Sequence, residues 1–232
     1  MRLSDIGMLA VDSGRTRAYL HALTKNNLLP AQVIFLNSAS ATAKKFPEVP
    51  YFDNATPALE TIKRLGISCE VVDTEDINSA PVAAAVRSSP TRILIFSGPG
   101  GAIVRQELLD SGKRFLHIHP GLVPEFRGST TIYYSLLMTG ECGASAIFLD
   151  KEIDTGPLIA QVAFPPPADR RLIDYGYDPF IRSELLARVL AEYAEKGRLE
   201  LQQQPTGGET YYIMHPVLRH ITILSHVDGQ II

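Results

Sequence analysis

The sequence predicts a doubly wound α/β fold with a mostly parallel sheet. Short apolar segments alternate with segments of helical apolar spacing, and glycine or proline separates many of them. Residues 92–96 (RILIF) form the near-continuous apolar run that is typical of a strand covered on both faces. Alternating strands and helices give parallel strands joined by right-handed crossovers, so we expect a Rossmann-like arrangement.

The first half of the chain supplies most of the predicted sheet. Strands are predicted at residues 6–11, 32–36, 67–72 and 92–96. Helices are predicted at residues 16–28 and 56–65, from a cap at Asp76 or Ser79 to Arg87, and at 103–109. Gly66 follows the second helix as a C-terminal cap. Residues 37–55 are polar and contain proline, which predicts a long surface loop.

The second half predicts the remaining elements and a change near residue 200. Strands are predicted at residues 115–119, 144–149 and 157–164, and helices at 130–138 and 179–196. Only strand-like pieces are predicted beyond them, around residues 211–213 and 221–224. We therefore expect a Rossmann domain over residues 1–200 and a short C-terminal extension, residues 201–232, packed on it.

Composition and charge narrow the class of protein. The chain has 232 residues, 45% hydrophobic and 20% charged, with a net charge of -3, so no nucleic-acid-binding surface is expected. No apolar run reaches membrane-spanning length, and the N-terminus does not begin a signal peptide. Cys69 and Cys142 are too few for a disulfide framework or a cysteine zinc site. We expect a soluble, cytoplasmic protein.

The most informative segment is residues 114–130, RFLHIHPGLVPEFRGST. His117 and His119 are two residues apart on a predicted strand, so both imidazoles should lie on the same side of it. Pro120 and Gly121 end the strand and open an irregular loop. The carboxyl ends of strands are where open α/β sheets bind ligands, so this segment is the predicted functional site.

Two motifs carry a resemblance to a known family. HIHPGLVPEFRGS, followed by GASAIFLDKEIDTGPLI, resembles the folate-dependent formyltransferases, which include glycinamide ribonucleotide, methionyl-tRNA and sugar-amine formyltransferases. The residues that fit the family pattern are His119, Pro120, Pro124, Phe126, Arg127, Gly128, Asp154, Thr155 and Gly156. The resemblance covers roughly residues 60–200 and implies a formyltransferase-like Rossmann domain.

The resemblance implies a reaction and three catalytic residues, His119, Asp154 and His117. In this family an amine attacks the formyl carbon of 10-formyltetrahydrofolate, and negative charge develops on the formyl oxygen. His119 is then implied to donate to that oxygen and to move the amine proton, with Asp154 orienting it and accepting the proton. A carboxylate beside an imidazole is expected to raise the pKa of His119.

His117 departs from the family pattern, which has asparagine at this position. Histidine can also donate a hydrogen bond, but it is bulkier and titrates near neutral pH. We therefore expect altered pH dependence or impaired formyl transfer. A histidine that merely caps a neighbouring carbonyl is the other interpretation.

The resemblance also implies binding residues for the donor. Backbone groups of residues 96–104 and 153–156 would hold the pterin ring, and glycines there allow close approach to the main chain. The residues expected at this pocket are Phe96, Ser97, Gly98, Gly101, Ile103, Val104, Ile153, Thr155 and Gly156. An ordinary Gly/Pro turn is the alternative.

For the acceptor, the candidates lie at two places. Ser13, Gly14 and Arg15 open a predicted helix, where glycinamide ribonucleotide formyltransferases hold a phosphate. Arg127 and Gly128 of the central loop are the other candidates, although a loop charge and a backbone requirement also explain them. The chain is too short for a separate tRNA-binding barrel, which favours a small-molecule amine.

Several functions stay open at this point. The preferred one is formyl transfer to an amino sugar, an amino acid or hydroxylamine, or a ribonucleotide amine, and a homodimer is an option. Hydrolysis of formylfolate, with water replacing the amine, is the enzymatic alternative. His117, His119 and Asp154 also form a zinc or iron donor set, which would suit a metal-dependent hydrolase, although we expect no metal. A folate-binding sensor without turnover is the last alternative.

Overall fold

The computed structural model describes residues 1–37 and 46–225. The strands in these ranges are β1 (Arg2–Val11), β2 (Leu29–Asn37), β3 (Ser68–Asp73), β4 (Ile93–Ser97), β5 (Arg114–His119), β6 (Phe126–Gly128), β7 (Cys142–Phe148), β8 (Leu158–Phe164) and β9 (Glu209–Tyr211). The helices are α1 (Gly14–Lys25), α2 (Ala58–Arg64), α3 (Ala80–Ser88), α4 (Gln106–Leu109), α5 (Thr131–Thr139), α6 (Asp178–Lys196) and α7 (Pro216–Leu224). None of these helices has the length and apolar character needed to cross a membrane.

Seven strands form one sheet in the order β3-β2-β1-β4-β5-β7-β8. The first five strands of the chain pair in parallel, and β7 and β8 add to the β5 side as antiparallel neighbours. Strands β6 and β9 pair in parallel as a separate two-stranded sheet. The predicted mostly parallel, Rossmann-like α/β fold is confirmed.

Helices cover both faces of the sheet, and the strand alternation decides which way each side chain points. Ile6 and Met8 of β1 pack in one core cluster with α1, α2 and α6, whereas Leu9 packs in a second cluster with α3 and α4. In β5, Leu116 and Ile118 face the α6 layer. The histidines at 117 and 119 therefore turn to the other side.

Two helix boundaries differ from the sequence prediction for identifiable reasons. Helix α1 begins at Gly14, because the Ser13 side chain accepts a hydrogen bond from the Thr16 amide at 3.1 Å and caps the first turn. The predicted helix over 103–109 is reduced to α4. The Asn78 side chain donates to the Ile103 carbonyl at 2.9 Å and accepts from the Arg105 amide at 2.8 Å, which holds this backbone outside a helix.

The strand-like prediction for residues 221–224 is wrong, because they lie in helix α7. The β-branched run Ile221-Thr222-Ile223 suggested a strand. The chain instead starts a helix at Pro216, capped by the His215 ring accepting from the Val217 amide at 3.2 Å. Ile223 and Met214 pack with the side chains of α5.

The predicted extension is attached to the central loop. Strand β9 pairs with β6 and overlaps the strand-like prediction for 211–213 only at Tyr211. The boundary at residue 200 stays a prediction, and residues 226–232 lie outside the described residues, as do 38–45 of the predicted long loop. In the described part of that loop, Tyr51 stacks on Phe180 with ring centroids 4.9 Å apart.

Candidate active site

The two histidines of β5 point at one carboxylate. His119 Nδ1 lies 3.2 Å from Asp154 Oδ2, and His117 Nε2 lies 3.9 Å from Asp154 Oδ1. The side chains of His117, His119 and Asp154 are 13%, 1% and 10% exposed. The Phe96 ring packs against the His117 ring at 5.8 Å. The two-residue spacing thus places both imidazoles on the same side, as predicted.

The hydrogen bond of His119 Nε2 indicates which ring nitrogen carries a hydrogen. His119 Nε2 is 2.6 Å from the Phe126 carbonyl oxygen, which can only accept, so this nitrogen donates. The carboxylate beside Nδ1 is also an acceptor, and its Oδ2 already receives the Gly128 amide at 2.9 Å. A proton on either Nδ1 or the carboxylate would complete a hydrogen bond across this 3.2 Å contact.

Burial, rather than the carboxylate, dominates the pKa of His119. Desolvation lowers it, while the Asp154 charge and the Phe126 carbonyl raise it only in part, so the net direction is downward. As expected, the Asp154 charge acts to raise the pKa of His119, but burial outweighs it. The pKa of His117 lies well below its ordinary value, because burial is joined by the positive charges of Arg182, His119 and Arg15.

Asp154 is held by its backbone as well as by its side chain. It has a φ of +55°, a left-handed conformation that aspartate tolerates better than most side chains. Two residues later, a side chain at Gly156 would put its Cβ 1.9 Å from the Phe148 carbonyl oxygen. The Asp-Thr-Gly order therefore meets two backbone requirements: an aspartate that adopts αL and a glycine in close contact with β7.

These groups line one cavity of about 520 Å³ at the carboxyl edge of the sheet. A volume of this size suits a small molecule. The cavity is lined by Arg15, Gly100, Gly101, Ala102, Ile103, Val104, His117, His119, Pro120, Gly128, Ser129, Thr130, Leu149, Asp150, Lys151, Glu152, Ile153, Asp154, Arg182 and Ile213.

Comparison with known proteins identifies the family to which the chain belongs. A family model described as formyl transferase matches residues 8–170, which is more than half of the chain. The chain belongs to the formyl transferase family. The resemblance carried by the two motifs is thereby confirmed, and members of this family are enzymes that transfer formyl groups.

Individual members of the family are distant from this chain. A methionyl-tRNA formyltransferase of Herpetosiphon aurantiacus is 28% identical over 159 residues, 68% of this chain and 51% of that protein. The chain thus spans about half the length of the curated relatives that it matches.

Solved structures of two other family members share the fold. Glycinamide ribonucleotide transformylase 1 from Symbiobacterium toebii has a TM-score of 0.59 at 22% identity, covering 87% of this chain and 91% of that chain. A sugar N-formyltransferase from a Shewanella species has a TM-score of 0.60 at 18% identity, covering 96% of this chain and 87% of that chain.

The predicted donor-binding residues of this formyl transferase family member divide into two groups. Gly101, Ile103, Val104 and Ile153 line the cavity. The other predicted residues do not line the cavity. Phe96 packs against His117, and Gly98 lies against the Phe96 ring. Thr155 and Gly156 belong to the turn that contains Asp154. Ser97 is fully buried, and its hydroxyl hydrogen-bonds Thr16 Oγ1 at 2.8 Å.

The predicted acceptor-binding residues divide in the same way. Arg15 and Gly128 line the cavity, whereas Ser13 caps α1 and Gly14 is buried beside it. Arg127 does not line the cavity. Its guanidinium donates to Gln204 Oε1 and, at 3.1 Å, to the Gly207 carbonyl.

Sequence reasoning missed Gln204, which is 7% exposed. Its amide nitrogen donates to the carbonyls of Asp154 at 2.8 Å and Gly156 at 2.7 Å. Its oxygen accepts from Arg127 Nε at 3.1 Å and Nη2 at 2.8 Å. Gln204 therefore ties the turn of Asp154 to the loop that carries Gly128. No spacing signal marks it within the run Gln202-Gln203-Gln204.

We expect Gln204→Ala to lower both stability and turnover. The substitution leaves the buried Gly156 carbonyl and the part-buried Asp154 carbonyl without this donor. We expect a loss of about 1–3 kcal/mol of stability and a looser turn around Asp154. Urea unfolding and steady-state kinetics measure both effects. Gln203→Ala, at an exposed neighbouring position, is the matched control. Equal stability and turnover in the two variants would contradict this role.

We expect the stability of the protein to fall as pH drops below about 6.5, in part through His117. Its folded-state pKa lies below the ordinary value of 6.5, so the unfolded chain binds more protons in that window and stability rises with pH through it. His117→Asn removes this contribution. The melting temperature of the variant should therefore depend less on pH between about 5 and about 7 than that of the natural protein. Identical pH profiles for the variant and the natural protein would refute the assignment.

The same three side chains also form a cluster that could hold a metal ion. One ligand atom from each of His117, His119 and Asp154 lies within 4.8 Å of the others. The Nε2 hydrogen bond of His119 to a backbone carbonyl is also a common second contact of histidine ligands. The expectation of no metal therefore stays a prediction, and metal-free protein is required in the binding measurements below.

Proposed function

We propose that this chain transfers a formyl group from 10-formyltetrahydrofolate to the amine of a small molecule. The observation that carries the proposal is the 3.2 Å contact of His119 Nδ1 with Asp154, with His117 beside it, on the wall of a cavity in a formyl transferase fold. Each group required for acid–base and electrostatic catalysis of acyl transfer is thus present within hydrogen-bonding distance of its neighbour or close to it.

We place the folate donor on one side of the cavity. Residues 100–104 offer two glycines and their main chain, and Ile103 and Ile153 expose apolar side chains, 63% and 48% exposed. Burial of such apolar surface under a flat ring stabilises a complex. We assign Gly101, Ile103, Val104 and Ile153 as the residues that would hold the donor, which supplies an electrophilic formyl carbon.

The chain's own groups then have separate tasks. His117 is neutral at neutral pH, and its Nε2 can donate to a formyl oxygen as negative charge develops there, in place of the family's asparagine. The Asp154 Oδ1 atom, which faces His117 rather than His119, accepts the amine proton. After the amine has lost its proton, a proton on either group completes the hydrogen bond between Asp154 Oδ2 and His119 Nδ1, which are 3.2 Å apart, and stabilises the protonated pair.

Turnover of 10-formyltetrahydrofolate with a panel of amines tests the proposal. We expect tetrahydrofolate and an N-formyl product to appear in equal amounts with at least one amino sugar, amino acid, hydroxylamine or ribonucleotide amine. Release of tetrahydrofolate at the same rate with and without amines would instead show hydrolysis. Formate would then be the product, and transfer would be rejected.

A further inference from the structure

Helix α7 presents an apolar face to the solvent. Val217, Ile221 and Leu224 follow one another by four and three positions, so they form one stripe along the helix, the α7 stripe. They are 58%, 48% and 65% exposed. Thr222 is buried and Ile223 packs with the side chains of α5, so the other side of the helix faces the protein. A surface helix normally turns its polar side outward, and α7 does the reverse.

Polar contacts fix this orientation of the helix. Arg219 forms an ion pair with Asp174, which lies between β8 and α6. At the C-terminal end of α7 the buried guanidinium of Arg170 donates through Nη1 to the carbonyls of Thr222 at 2.8 Å and Ser225 at 2.9 Å. A cation at the last carbonyls of a helix satisfies their hydrogen bonds and interacts favourably with the helix dipole. The outward apolar stripe is therefore a fixed feature of the fold.

Further apolar side chains are exposed on the elements next to α7. Leu137 and Met138 lie at the end of α5, the helix on which α7 packs, and Tyr212 directly follows β9. The Tyr211 hydroxyl contacts the Met138 sulfur at 3.5 Å, which joins the ends of α5 and β9. Together with the α7 stripe and its neighbour Leu218, these exposed residues offer on the order of 800 Å² of surface, which is the area that each partner buries in a standard-size protein interface.

The charge of this surface indicates what it can bind. The α7 stripe carries no charge, and Arg219, the charged residue of α7, is paired with Asp174. A helix that lies on a membrane surface would instead carry several lysines or arginines along its polar face. A neutral apolar face is self-complementary, because two copies can meet about a two-fold axis without opposing like charges. The area and the lack of charge therefore favour a second copy of this chain as the occupant.

We propose that the chain forms a homodimer in which the α7 stripe packs against the α7 stripe of a second copy. In such an isologous interface Ile221, in the middle of the stripe, lies near the two-fold axis. Val217 then faces Leu224 of the partner subunit, so an apolar side chain meets an apolar side chain at each position. The inference does not depend on the proposed function, because the residues of the α7 stripe do not line the cavity.

Analytical ultracentrifugation of the natural protein and of two charged variants tests the interface. We expect the natural protein to sediment as a species of twice the 25.4 kDa chain mass, with monomer appearing only on dilution. Ile221→Glu and Leu224→Glu each place a pair of like charges in the interface and should weaken the dimer at least tenfold. Val71→Glu is the matched control, because Val71 is similarly exposed but lies on the edge strand β3, and it should leave the dimer unchanged.

A cross-link and a folding check complete the test. Circular dichroism melts should show both glutamate variants to be folded, because the two positions are exposed. Ile221→Cys should form a disulfide-linked dimer on mild oxidation, since the two-fold axis brings the two thiols together. The natural protein, whose cysteines are buried or half-buried, should not.

Three results would overturn the proposal. A natural protein that stays monomeric at high micromolar concentration leaves the α7 stripe to a different occupant. A dimer that both glutamate variants retain, or that only Val71→Glu disrupts, has its interface elsewhere. A dimeric Ile221→Cys variant that gives no cross-link does not place α7 at the two-fold axis.

Discussion

Replacing Asp154 by asparagine is expected to slow formyl transfer by about a hundredfold or more while the protein still folds. Asparagine is nearly isosteric and can still accept the Gly128 amide, so the turn should survive. It cannot accept a proton from the amine or share one with His119. Single-turnover kinetics with saturating donor would measure the loss in the chemical step.

Asp110→Asn provides the matched control for this variant. Asp110 is exposed at the end of α4 and lies outside the cavity. Turnover by Asp154→Asn within a few-fold of this control, at every pH tested, would remove Asp154 from the reaction. A raised KM with unchanged kcat would assign it to binding alone.

Replacing His119 by alanine is expected to give a loss of similar size, with a measurable loss of stability in addition. The substitution removes the partner of Asp154 and leaves the buried Phe126 carbonyl without its donor. An unsatisfied buried acceptor destabilises by about 1–3 kcal/mol. Rates should therefore be measured at a temperature where denaturant unfolding shows the variant to be fully native.

His21→Ala is the control for this second variant, because His21 is exposed on α1. Added imidazole offers a further check, since it can occupy the vacated space and restore part of the rate. If His119→Ala is native and turns over as fast as His21→Ala, the pair of His119 and Asp154 has no part in the reaction.

The sequence predicted the site because its signals are local. The spacing of two between His117 and His119 predicts that both side chains lie on the same side of a strand. The Asp-Thr-Gly sequence likewise indicates a turn from three adjacent residues. The mostly parallel sheet with helices on both faces follows from the alternation of apolar segments. The observed boundaries of α1 and α4 differ from the predicted ones because hydrogen bonds made by the Ser13 and Asn78 side chains determine where these helices begin.

What the sequence did not predict depends on contacts between distant segments. Gln204 and Asp154 are 50 positions apart in the sequence, and no pattern near either residue predicts their hydrogen bond. The direction of the His119 pKa shift depends on how completely β7 and the central loop bury the ring, which is a property of packing rather than of spacing. Helix α7 formed despite β-branched residues because α5 offers a face for it to cover.

The most direct test of the central claim is calorimetric titration of the metal-free protein with 5-formyltetrahydrofolate, a stable analogue of the proposed donor. We expect saturable binding with a dissociation constant in the micromolar range, which corresponds to a binding free energy on the order of −8 kcal/mol. Replacing Gly101, in the loop assigned to the donor, by a larger residue should weaken this binding. No binding by the folded protein would contradict it. Tight, stoichiometric zinc binding in that case would assign His117, His119 and Asp154 to a metal centre instead.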